Sequence, residues 1–538
     1  MLKLSRLLSI ESADPVYLLH KINRRFSMFK QRWFLSLFIR RAIIFILVLI
    51  QFLYLIYALI SSSIASNFIN AAFSFLSLCI SFTIVVRPGH SSYKLAWIFL
   101  IFISPILGTG MYLVFNHQIT PRITEKKSMK ILKKTKGIKS VGESSLSNAK
   151  LSAPNHARLI GYLEEHSGLP VYKNTDVKYF PLGEFKWEAM LKELKKAEKY
   201  IFLEYFIIQE GVFWDSILEI LKEKARAGVK VRILYDDFGC FFLLPSNYPK
   251  KLKEYGIECV VFNPFRPFLS SIQNNRDHRK ICSIDGKVCF TGGINLADEY
   301  VNKKVRHGHW KDTAVMLSGE AAWGMTVMFL EMWELSTLKT ENIKDYMPDF
   351  SSPEGFAEGF VQPYCDTPID KENIGENVYL QIIQNAKNYL YINTPYLIID
   401  EAMTNSLALA AKSGVDVKIT TPGIGDKWFV HETTRSYYRE LIDAGVEIYE
   451  YEKGFNHAKT FVSDDEIATV GTTNLDFRSL YLHFECGVVI MKSPVIFDMK
   501  NDYTETLKKC KRISFEDCKR NMPRKLMQNI LRLFAPLL

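Results

Sequence analysis

Charge-free apolar stretches near the N-terminus distinguish that part of the chain from the rest. Residues 42–60, 68–86 and 95–115 contain no charged side chain. Each has close to the roughly 20 residues that a helix needs to cross the hydrocarbon core of a bilayer. The first stretch begins after 41 residues and two more follow it, which argues against a cleaved signal peptide. We therefore predict a transmembrane region over 42–115.

From about residue 156 the pattern changes to short apolar runs alternating with amphipathic ones, and this order occurs twice. The strand, helix and strand runs cover 200–208, 212–227 and 229–235 in the first copy, and 389–399, 400–413 and 415–421 in the second. Gly228 and Gly414 end the two helices at equivalent turns. The repeated order predicts an internal duplication of two α/β sandwich domains that follow the transmembrane helices, each with a mixed or mostly parallel sheet.

Composition shifts set the remaining boundaries. The expected segments are a basic N-terminal arm over 1–41, the transmembrane region over 42–115, a basic juxtamembrane linker over 116–155, a first α/β domain over 156–340, a second over 341–518 and a basic amphipathic tail over 519–538. The linker either adheres to anionic lipid headgroups or is a solvated tether. The tail either packs on the globular part or contacts a membrane surface.

Charge and cysteine content narrow the partners and the compartment. The chain has 68 Lys and Arg against 57 Asp and Glu, an excess that suits an anionic partner such as a membrane surface or a nucleic acid. Nine cysteines without a Cys-x-x-Cys pair argue against a disulfide framework and a zinc site and favour a reducing compartment. Basic segments flank the apolar region on both sides, so the positive-inside rule does not decide the topology. We expect the globular part on the cytoplasmic side.

A motif of the form His-x-Lys-x4-Asp occurs twice in the chain. The residues are His278, Lys280 and Asp285 in the first copy and His457, Lys459 and Asp464 in the second, each followed by Gly-x-x-Asn with Asn295 and Asn474. Side chains at i and i+2 of a strand point to the same side, so each strand presents an imidazole beside an ammonium. Two sheets packed edge to edge would bring both motifs into one active site.

Paired imidazoles suit phosphoryl transfer. One attacks phosphorus to give a covalent phospho-histidine, while the other, protonated, donates to the leaving oxygen. The lysines and asparagines would hold the phosphate oxygens, and an Asp paired with an imidazole N–H would fix its tautomer. We therefore expect no metal and no cofactor. Weaker candidates for supporting roles are Glu204, Glu485, His431 and Arg435.

The doublet resembles the phospholipase D superfamily, and the whole chain resembles its bacterial cardiolipin synthases. The segments that carry the second resemblance are Tyr93 to Trp97, Asn275 to Lys280, His309 to Thr313, Asn474 to Ser479 and Leu531 to Pro536. The resemblance implies a transferase that joins two phosphatidylglycerol molecules and releases glycerol, with His278 as nucleophile and His457 as acid and base. It also implies a multi-pass protein of the bacterial cell membrane, in contact with anionic lipids and without a nucleic-acid partner. Where the superfamily often has Gly-Ser, this chain has Gly292-Gly293 and Gly471-Thr472.

Other functions share these residues. A hydrolytic phospholipase D uses the same intermediate, and transfer to serine or another alcohol is compatible with the motifs. The apolar stretches favour a lipid over a nuclease substrate. A membrane scaffold with vestigial motifs is disfavoured because all six motif residues are intact.

Overall fold

The structure is a computed structural model of the 538-residue chain. It describes residues 45–46, 48–53, 56–57, 60, 64–115, 122–141, 145–264, 271–350, 358–370 and 372–537. The predicted arm over 1–41 lies outside these residues. The chain forms two compact units, one of Met1–Pro88, Trp97–Gln118 and Phe265–Gln273 and the other of Gly89–Ala96, Ile119–Pro264 and Asn274–Leu538.

The apolar N-terminal stretches are helical where the structure describes them. Their helices are α1 (Ile64–Val86), α2 (Ser91–Ile103) and α3 (Pro105–Phe115). The third stretch, expected as one run over 95–115, is interrupted at Ser104, because Pro105 lacks an N–H and disfavours helical geometry in the residue before it. The Gln51 side chain accepts hydrogen bonds from the N–H groups of Ile106 and Leu107 at 3.1 and 3.4 Å, which satisfies donors at the start of α3.

Among the residues that the structure describes, none of the helices combines the length and the apolar character needed to cross a membrane. The membrane crossings over 42–60, 68–86 and 95–115 stay predictions.

Two sheets with the same strand order form the larger unit. The strands of the first half are β1 (Thr175–Phe180), β2 (Tyr200–Tyr205), β3 (Lys230–Asp236), β4 (Glu258–Phe262), β5 (Lys280–Ile284), β6 (Val288–Gly292), β7 (His309–Lys311) and β8 (Ala314–Gly319). Those of the second half are β9 (Phe360–Asp366), β10 (Tyr389–Asn393), β11 (Leu397–Ile398), β12 (Asp416–Pro422), β13 (Glu447–Tyr451), β14 (Gly454–Asn456), β15 (Thr460–Ser463), β16 (Ile467–Gly471), β17 (Leu475–Asp476), β18 (Glu485–Met491) and β19 (Cys510–Arg512).

The sheet topology confirms the predicted duplication. The first sheet has the order β1-β8-β6-β5-β2-β3-β4, and the second repeats it as β9-β18-β16-β15-β10-β12-β13, with β19 added beyond β13. In each sheet the last three strands of that shared order are parallel and the other pairs are antiparallel. Each half is therefore an α/β domain with a mixed sheet.

Helices pack around and between these sheets. They are α4 (Arg122–Thr135), α5 (Leu146–Ser152), α6 (Ala157–Tyr162), α7 (Gly183–Leu194), α8 (Val212–Arg226), α9 (Asp237–Cys240), α10 (Tyr248–Lys253), α11 (Glu320–Thr337), α12 (Ile374–Asn385), α13 (Glu401–Lys412), α14 (Trp428–Asp443), α15 (Phe477–Tyr481), α16 (Val495–Leu507) and α17 (Met522–Phe534). In α8 the apolar residues recur at helical spacing, with Phe213, Ile217 and Leu221 buried on the side that faces the first sheet.

The two sheets pack against each other through their faces. One buried cluster contains Ile281 and Val315 of the first sheet together with Val470, Val488 and Ile490 of the second. The expected edge-to-edge packing is therefore wrong. Alternate residues of each central strand point to this shared core, and the residues between them point to the helices of their own half.

The segment expected to be a linker is partly helical and packs on the first half. Helix α4 lies against α11, where Lys134 pairs with Glu334 at 2.6 Å and the buried Lys139 pairs with Glu331 at 2.8 Å. Two basic residues of this segment are thus neutralised by protein carboxylates. Residues 146–171 also deviate from the expected division, because Leu159 and its neighbours pack in the core of the second half.

We expect Ile490→Ala to destabilise the protein, since Ile490 is fully buried between the sheets. A cavity left by a large aliphatic side chain costs about 2–5 kcal/mol of unfolding free energy. Thermal unfolding of the purified full chain measures the loss. Leu409→Ala, at a position 66% exposed, is the control and should leave the midpoint nearly unchanged. Equal midpoints for the two variants would contradict the shared core.

Candidate active site

Each motif histidine lies at the end of a segment that pairs with the other half of the molecule. The His278 N–H donates to the Phe484 carbonyl at 2.9 Å, and the Phe484 N–H donates to the Arg276 carbonyl at 2.8 Å. In the second copy, β14 pairs in parallel with β7, and the His457 N–H donates to the Lys311 carbonyl at 2.6 Å. Backbone hydrogen bonds from the opposite half therefore fix the position of each motif histidine.

A carboxylate from the opposite half holds each imidazole. The Nδ1 atom of His278 lies 2.9 and 3.0 Å from the two oxygens of Glu485, and Nδ1 of His457 lies 2.7 Å from Oδ2 of Asp312. All four side chains are buried, with 7% of His278 and 6% of His457 exposed. Hydrogen bonds of this kind fix the tautomer, so that Nδ1–H donates and the Nε2 lone pair is left for chemistry.

The two carboxylates occupy equivalent positions of the duplicated fold. In the first sheet Gly292 is paired with Ala314, and in the second Gly471 is paired with Gly487. Asp312 and Glu485 each stand two residues before these partners. The structure therefore contains the same histidine–carboxylate pair twice, and in each pair the carboxylate comes from the half that does not carry the histidine.

The motif aspartates do not contact the imidazoles, which corrects the role expected for them. Asp285 accepts hydrogen bonds from the backbone N–H groups of residues 198, 199 and 200 at 2.7 to 2.8 Å. Asp464 does the same for residues 387, 388 and 389 at 2.7 to 2.9 Å. Both have positive φ, 52° and 56°, which an Asp at a tight turn tolerates. They anchor the turn after each motif strand to the start of the neighbouring strand.

The motif lysines lie buried beside the imidazoles. Lys280 donates to the carbonyl of His278 at 2.5 Å, and Lys459 to the carbonyl of His457 at 2.5 Å. Burial lowers the pKa of Lys280 to about 8 and that of Lys459 to about 7. Lys459 Nζ also lies 2.8 Å from Nδ1 of His457. Nδ1 of His457 carries one hydrogen, which it donates to Asp312, so it does not accept a hydrogen bond from Lys459. Lys459 therefore contributes positive charge beside the imidazole and donates its hydrogen bond to the His457 carbonyl oxygen.

Burial keeps both imidazoles neutral near pH 7. It lowers the pKa of His278 to about 3, against the opposing effect of Glu485, and that of His457 to about 4, against the opposing effect of Asp312. For the carboxylates, burial acts to raise the pKa, but His278 holds that of Glu485 well below its usual value. Lys459 and His457 likewise lower that of Asp312. Each pair is thus a neutral imidazole bonded to an ionised carboxylate.

The residues after the two motif glycines support the carboxylates in different ways. Thr472 Oγ1 donates to Glu485 at 2.5 Å, so its hydroxyl holds the carboxylate rather than being free for phosphate. At the equivalent Gly293, an added Cβ would come within 2.1 Å of an Asp312 oxygen, so that position has no room for a side chain. Asp312 accepts instead from the Thr313 N–H at 2.8 Å.

The two asparagines expected to bind phosphate have different surroundings. The Asn295 side chain has protein partners at both ends: its oxygen accepts from the Ile207 N–H at 3.1 Å, and its amide donates to the Tyr300 hydroxyl at 2.8 Å. The Tyr300 ring centroid lies 5.6 Å from that of His457, so Asn295 positions a wall of the site. Asn474 is buried, and among the described residues its side-chain oxygen has no hydrogen-bond partner.

Of the four weaker candidates from the sequence, one lies in the site and two form ion pairs elsewhere. Glu485 is in the site, whereas the fully buried Glu204 lies 3.8 Å from Arg279, and burial raises its pKa well above the usual value. Arg435 forms a two-pronged ion pair with Glu450 at 2.8 and 2.7 Å, so its charge is already compensated. His431 is half-buried on the same helix, α14.

A third imidazole stands beside the first pair. His483 Nδ1 lies 3.6 Å from Glu485 Oε1, and its ring centroid is 5.5 Å from that of His278. The ligand atoms of these three residues lie within 4.8 Å of one another, a spacing that would admit a metal ion. Within this group the structure holds the hydrogen bonds between Nδ1 of His278 and the Glu485 carboxylate.

Sequence reasoning gave Asp312 no role and ranked Glu485 low. The loop before Asp312 is longer than the loop before Glu485, so the two acids do not stand at the same distance from their motifs. The available signal was an acidic residue at the start of the strand that follows each motif hairpin, Asp312 before β8 and Glu485 in β18. Their equivalence is apparent only from the register of these strands.

Comparison with known proteins gives consistent matches over both halves. A family model described as "Cardiolipin synthase, PLD-like domain" matches residues 190–331 and 379–508. An uncharacterized protein of Streptococcus mutans is 47% identical over 448 residues, which cover 82% of this chain and 96% of that protein. The cardiolipin synthase of Alkalihalophilus pseudofirmus is 33% identical over 479 residues, which cover 87% of this chain and 94% of that protein.

The fold also matches a solved structure. The phosphatidylserine synthase of Haemophilus influenzae superposes with a TM-score of 0.53 at 15% identity, covering 67% of this chain and 93% of that one. At this identity the likeness concerns the fold, which has the same α/β architecture.

We expect Asp285→Ala to lower stability, because three backbone N–H groups lose their charged acceptor and alanine is strained at φ 52°. The expected loss in unfolding free energy is about 2–3 kcal/mol. Asp285→Asn, which keeps an oxygen acceptor and tolerates positive φ, should lose less. Thermal unfolding of both variants measures this order, and an unchanged midpoint in Asp285→Ala would contradict the anchoring role.

We expect stability to fall as pH drops from about 6.5 towards 4. The imidazoles have folded-state pKa values of about 3 and about 4, below the unfolded value, so the unfolded state binds more protons in this window. Each contributes a slope approaching about 1.4 kcal/mol per pH unit. The difference between the unfolding midpoints at pH 7 and pH 5 should be smaller in a His278→Gln/His457→Gln variant than in the wild type. An equal difference in the two proteins would contradict burial of neutral imidazoles.

Proposed function

Since the chain belongs to the cardiolipin synthase family of proteins with phospholipase D-like domains, we propose that its two motifs form one active site for phosphatidyl transfer between two phosphatidylglycerol molecules. The products are cardiolipin and glycerol. The observation that carries this proposal is the pair of buried imidazoles, each hydrogen-bonded at Nδ1 to a carboxylate of the other half.

In the first step, Nε2 of His278 attacks the phosphorus of one phosphatidylglycerol. A P–N bond forms, the bond from phosphorus to the terminal glycerol oxygen breaks, and His457 gives a proton to that oxygen. Glycerol leaves, and the phosphatidyl group stays on His278. Glu485 stabilises the positive charge that develops on the attacking imidazole.

His457 must carry a proton for this step, although burial keeps it neutral in the unliganded site. The phosphodiester of the lipid is an anion. Its entry beside His457 favours the protonated imidazole, and Asp312 stabilises the imidazolium at 2.7 Å. Proton uptake is thereby coupled to substrate binding.

In the second step, His457 takes the proton from the primary hydroxyl of a second phosphatidylglycerol. The hydroxyl oxygen attacks phosphorus, the P–N bond breaks, and cardiolipin leaves with His278 neutral again. His457 ends the cycle with the proton it had after the first lipid bound, so the transfer balances and is reversible.

The lysines and Asn474 complete the phosphate site. Lys280 and Lys459 place positive charge beside the imidazoles, where buried ammonium groups stabilise the charge that develops on phosphate oxygens. Asn474, buried and with its side-chain oxygen unpartnered among the described residues, supplies a further polar group for the phosphate, and Asn295 acts by positioning Tyr300.

Membrane embedding belongs to the same proposal. The charge-free stretches over 42–115 anchor the chain as a multi-pass protein of the bacterial cell membrane. Phe75 and Phe82 of α1 support this, being 69% and 68% exposed, as lipid-facing side chains are. The nine cysteines are free, which fits a catalytic part on the reducing, cytoplasmic side. An anchored enzyme meets its acceptor lipid at high effective concentration, which favours transfer over hydrolysis.

We expect His278→Ala and His457→Ala each to lower turnover by about a thousandfold or more, because either loss interrupts a two-step mechanism. The assay incubates full-chain protein in phosphatidylglycerol vesicles and resolves lipid products. Cardiolipin with glycerol supports the synthase, phosphatidic acid indicates a hydrolase, and no turnover in the wild type indicates a scaffold.

Two controls sharpen this assay. Leu409→Ala changes a side chain that is 66% exposed on α13, outside the motifs, and should retain full activity. Proteolysis followed by peptide mass analysis under alkaline conditions, where phospho-histidine persists, should find a phosphatidyl adduct on the peptide that contains residue 278. An adduct on the peptide that contains residue 457 would reverse the roles of the two histidines.

A further inference from the structure

The C-terminal helix α17 has its amphipathic pattern turned outwards. Met522, Leu526 and Ile530 are 77%, 62% and 48% exposed. They stand at i, i+4 and i+8, within about 80° of the helix circumference. A surface helix that only covers a core would bury such a stripe and expose its polar residues.

Ion pairs fix this orientation by attaching the polar side of α17 to α14. Arg524 donates to Glu432 at 3.0 and 2.5 Å, and Gln528 donates to the same carboxylate at 2.9 Å. Two turns further on, Arg532 donates to Glu440 at 2.5 Å. Since these contacts run along the helix, rotation that would bury the apolar stripe would break all of them.

Charge beside the stripe points to an anionic surface. Residues 519–538 contain five basic side chains and no acidic one. Arg524 and Arg532 are used by Glu432 and Glu440, whereas the exposed Lys525 beside Leu526 has no ion-pair partner among the described residues. A lipid layer with anionic headgroups accepts both the apolar side chains and the free ammonium.

An exposed aromatic residue stands at the same end of this helix pair. Trp428, 66% exposed, begins α14 one turn before Glu432, at the end where α17 also begins. Tryptophan is enriched at the membrane–water interface, where its ring meets the headgroup region.

We propose that Met522, Leu526, Ile530 and Trp428 form a membrane-contact surface that seats the catalytic unit on an anionic lipid layer. Burying one leucine-sized side chain in the acyl boundary contributes enough free energy to change occupancy of the contact about tenfold. The contact does not depend on turnover.

Photo-cross-linking in the full chain tests the surface directly. The variant Leu526→p-benzoylphenylalanine, reconstituted in vesicles that contain phosphatidylglycerol, is irradiated and its adducts are identified by mass. Phe185→p-benzoylphenylalanine is the control, at a position 50% exposed on α7 in the first half. We expect lipid adducts at 526 to exceed those at 185 by about tenfold or more.

A second variant separates apolar insertion from mere proximity. Adding Ile530→Glu to the 526 variant should lower the lipid adduct about tenfold, whereas Leu409→Glu in the same background should not. An adduct to a second copy of this chain, or equal lipid adducts at 526 and 185, would overturn the proposal. Because this readout needs no catalysis, it stands or falls independently of the phosphatidyl transfer.

Discussion

The hydrogen bonds that cross from one half to the other are the constraint on which the site depends. Glu485 holds His278, and Asp312 holds His457, with each carboxylate supplied by the half that does not carry the histidine. These pairs lie in a buried interface, where an unpaired carboxylate would be costly. The apolar core shared by the two sheets and the backbone pairing beside each histidine both serve to keep these contacts in register.

The two halves of the site are not fully symmetric, because the groups around the two histidine–carboxylate pairs differ. Glu485 receives a hydroxyl from Thr472, while Asp312 receives a backbone N–H from Thr313 because Gly293 leaves no side chain there. His278 has a further imidazole, His483, beside its carboxylate, and His457 is enclosed by Tyr300 and Trp310. Two copies of one arrangement thus acquire different environments, as two different roles in one reaction require.

Much of this molecule could be predicted from its sequence, because local patterns carry the information. Alternating strand and helix runs predicted the duplicated α/β halves, and the repeated motif located both histidines and both lysines. The partners of the imidazoles could not be found in this way, since Asp312 and Glu485 reach them only through pairing between the halves. The motif aspartates were given the wrong contact for the same reason: spacing alone does not distinguish a carboxylate that orients an imidazole from one that anchors a turn. The membrane crossings stay predictions.

The exchange of carboxylates between the halves has a consequence for how such a protein can diverge. After a gene duplication, two domains are ordinarily free to accumulate changes separately. Here a substitution at residue 312 of the first domain alters the basicity of His457 in the second domain. A substitution at residue 485 of the second domain likewise alters the basicity of His278 in the first. Selection on either copy therefore acts on both, so the two halves are inherited as one indivisible unit.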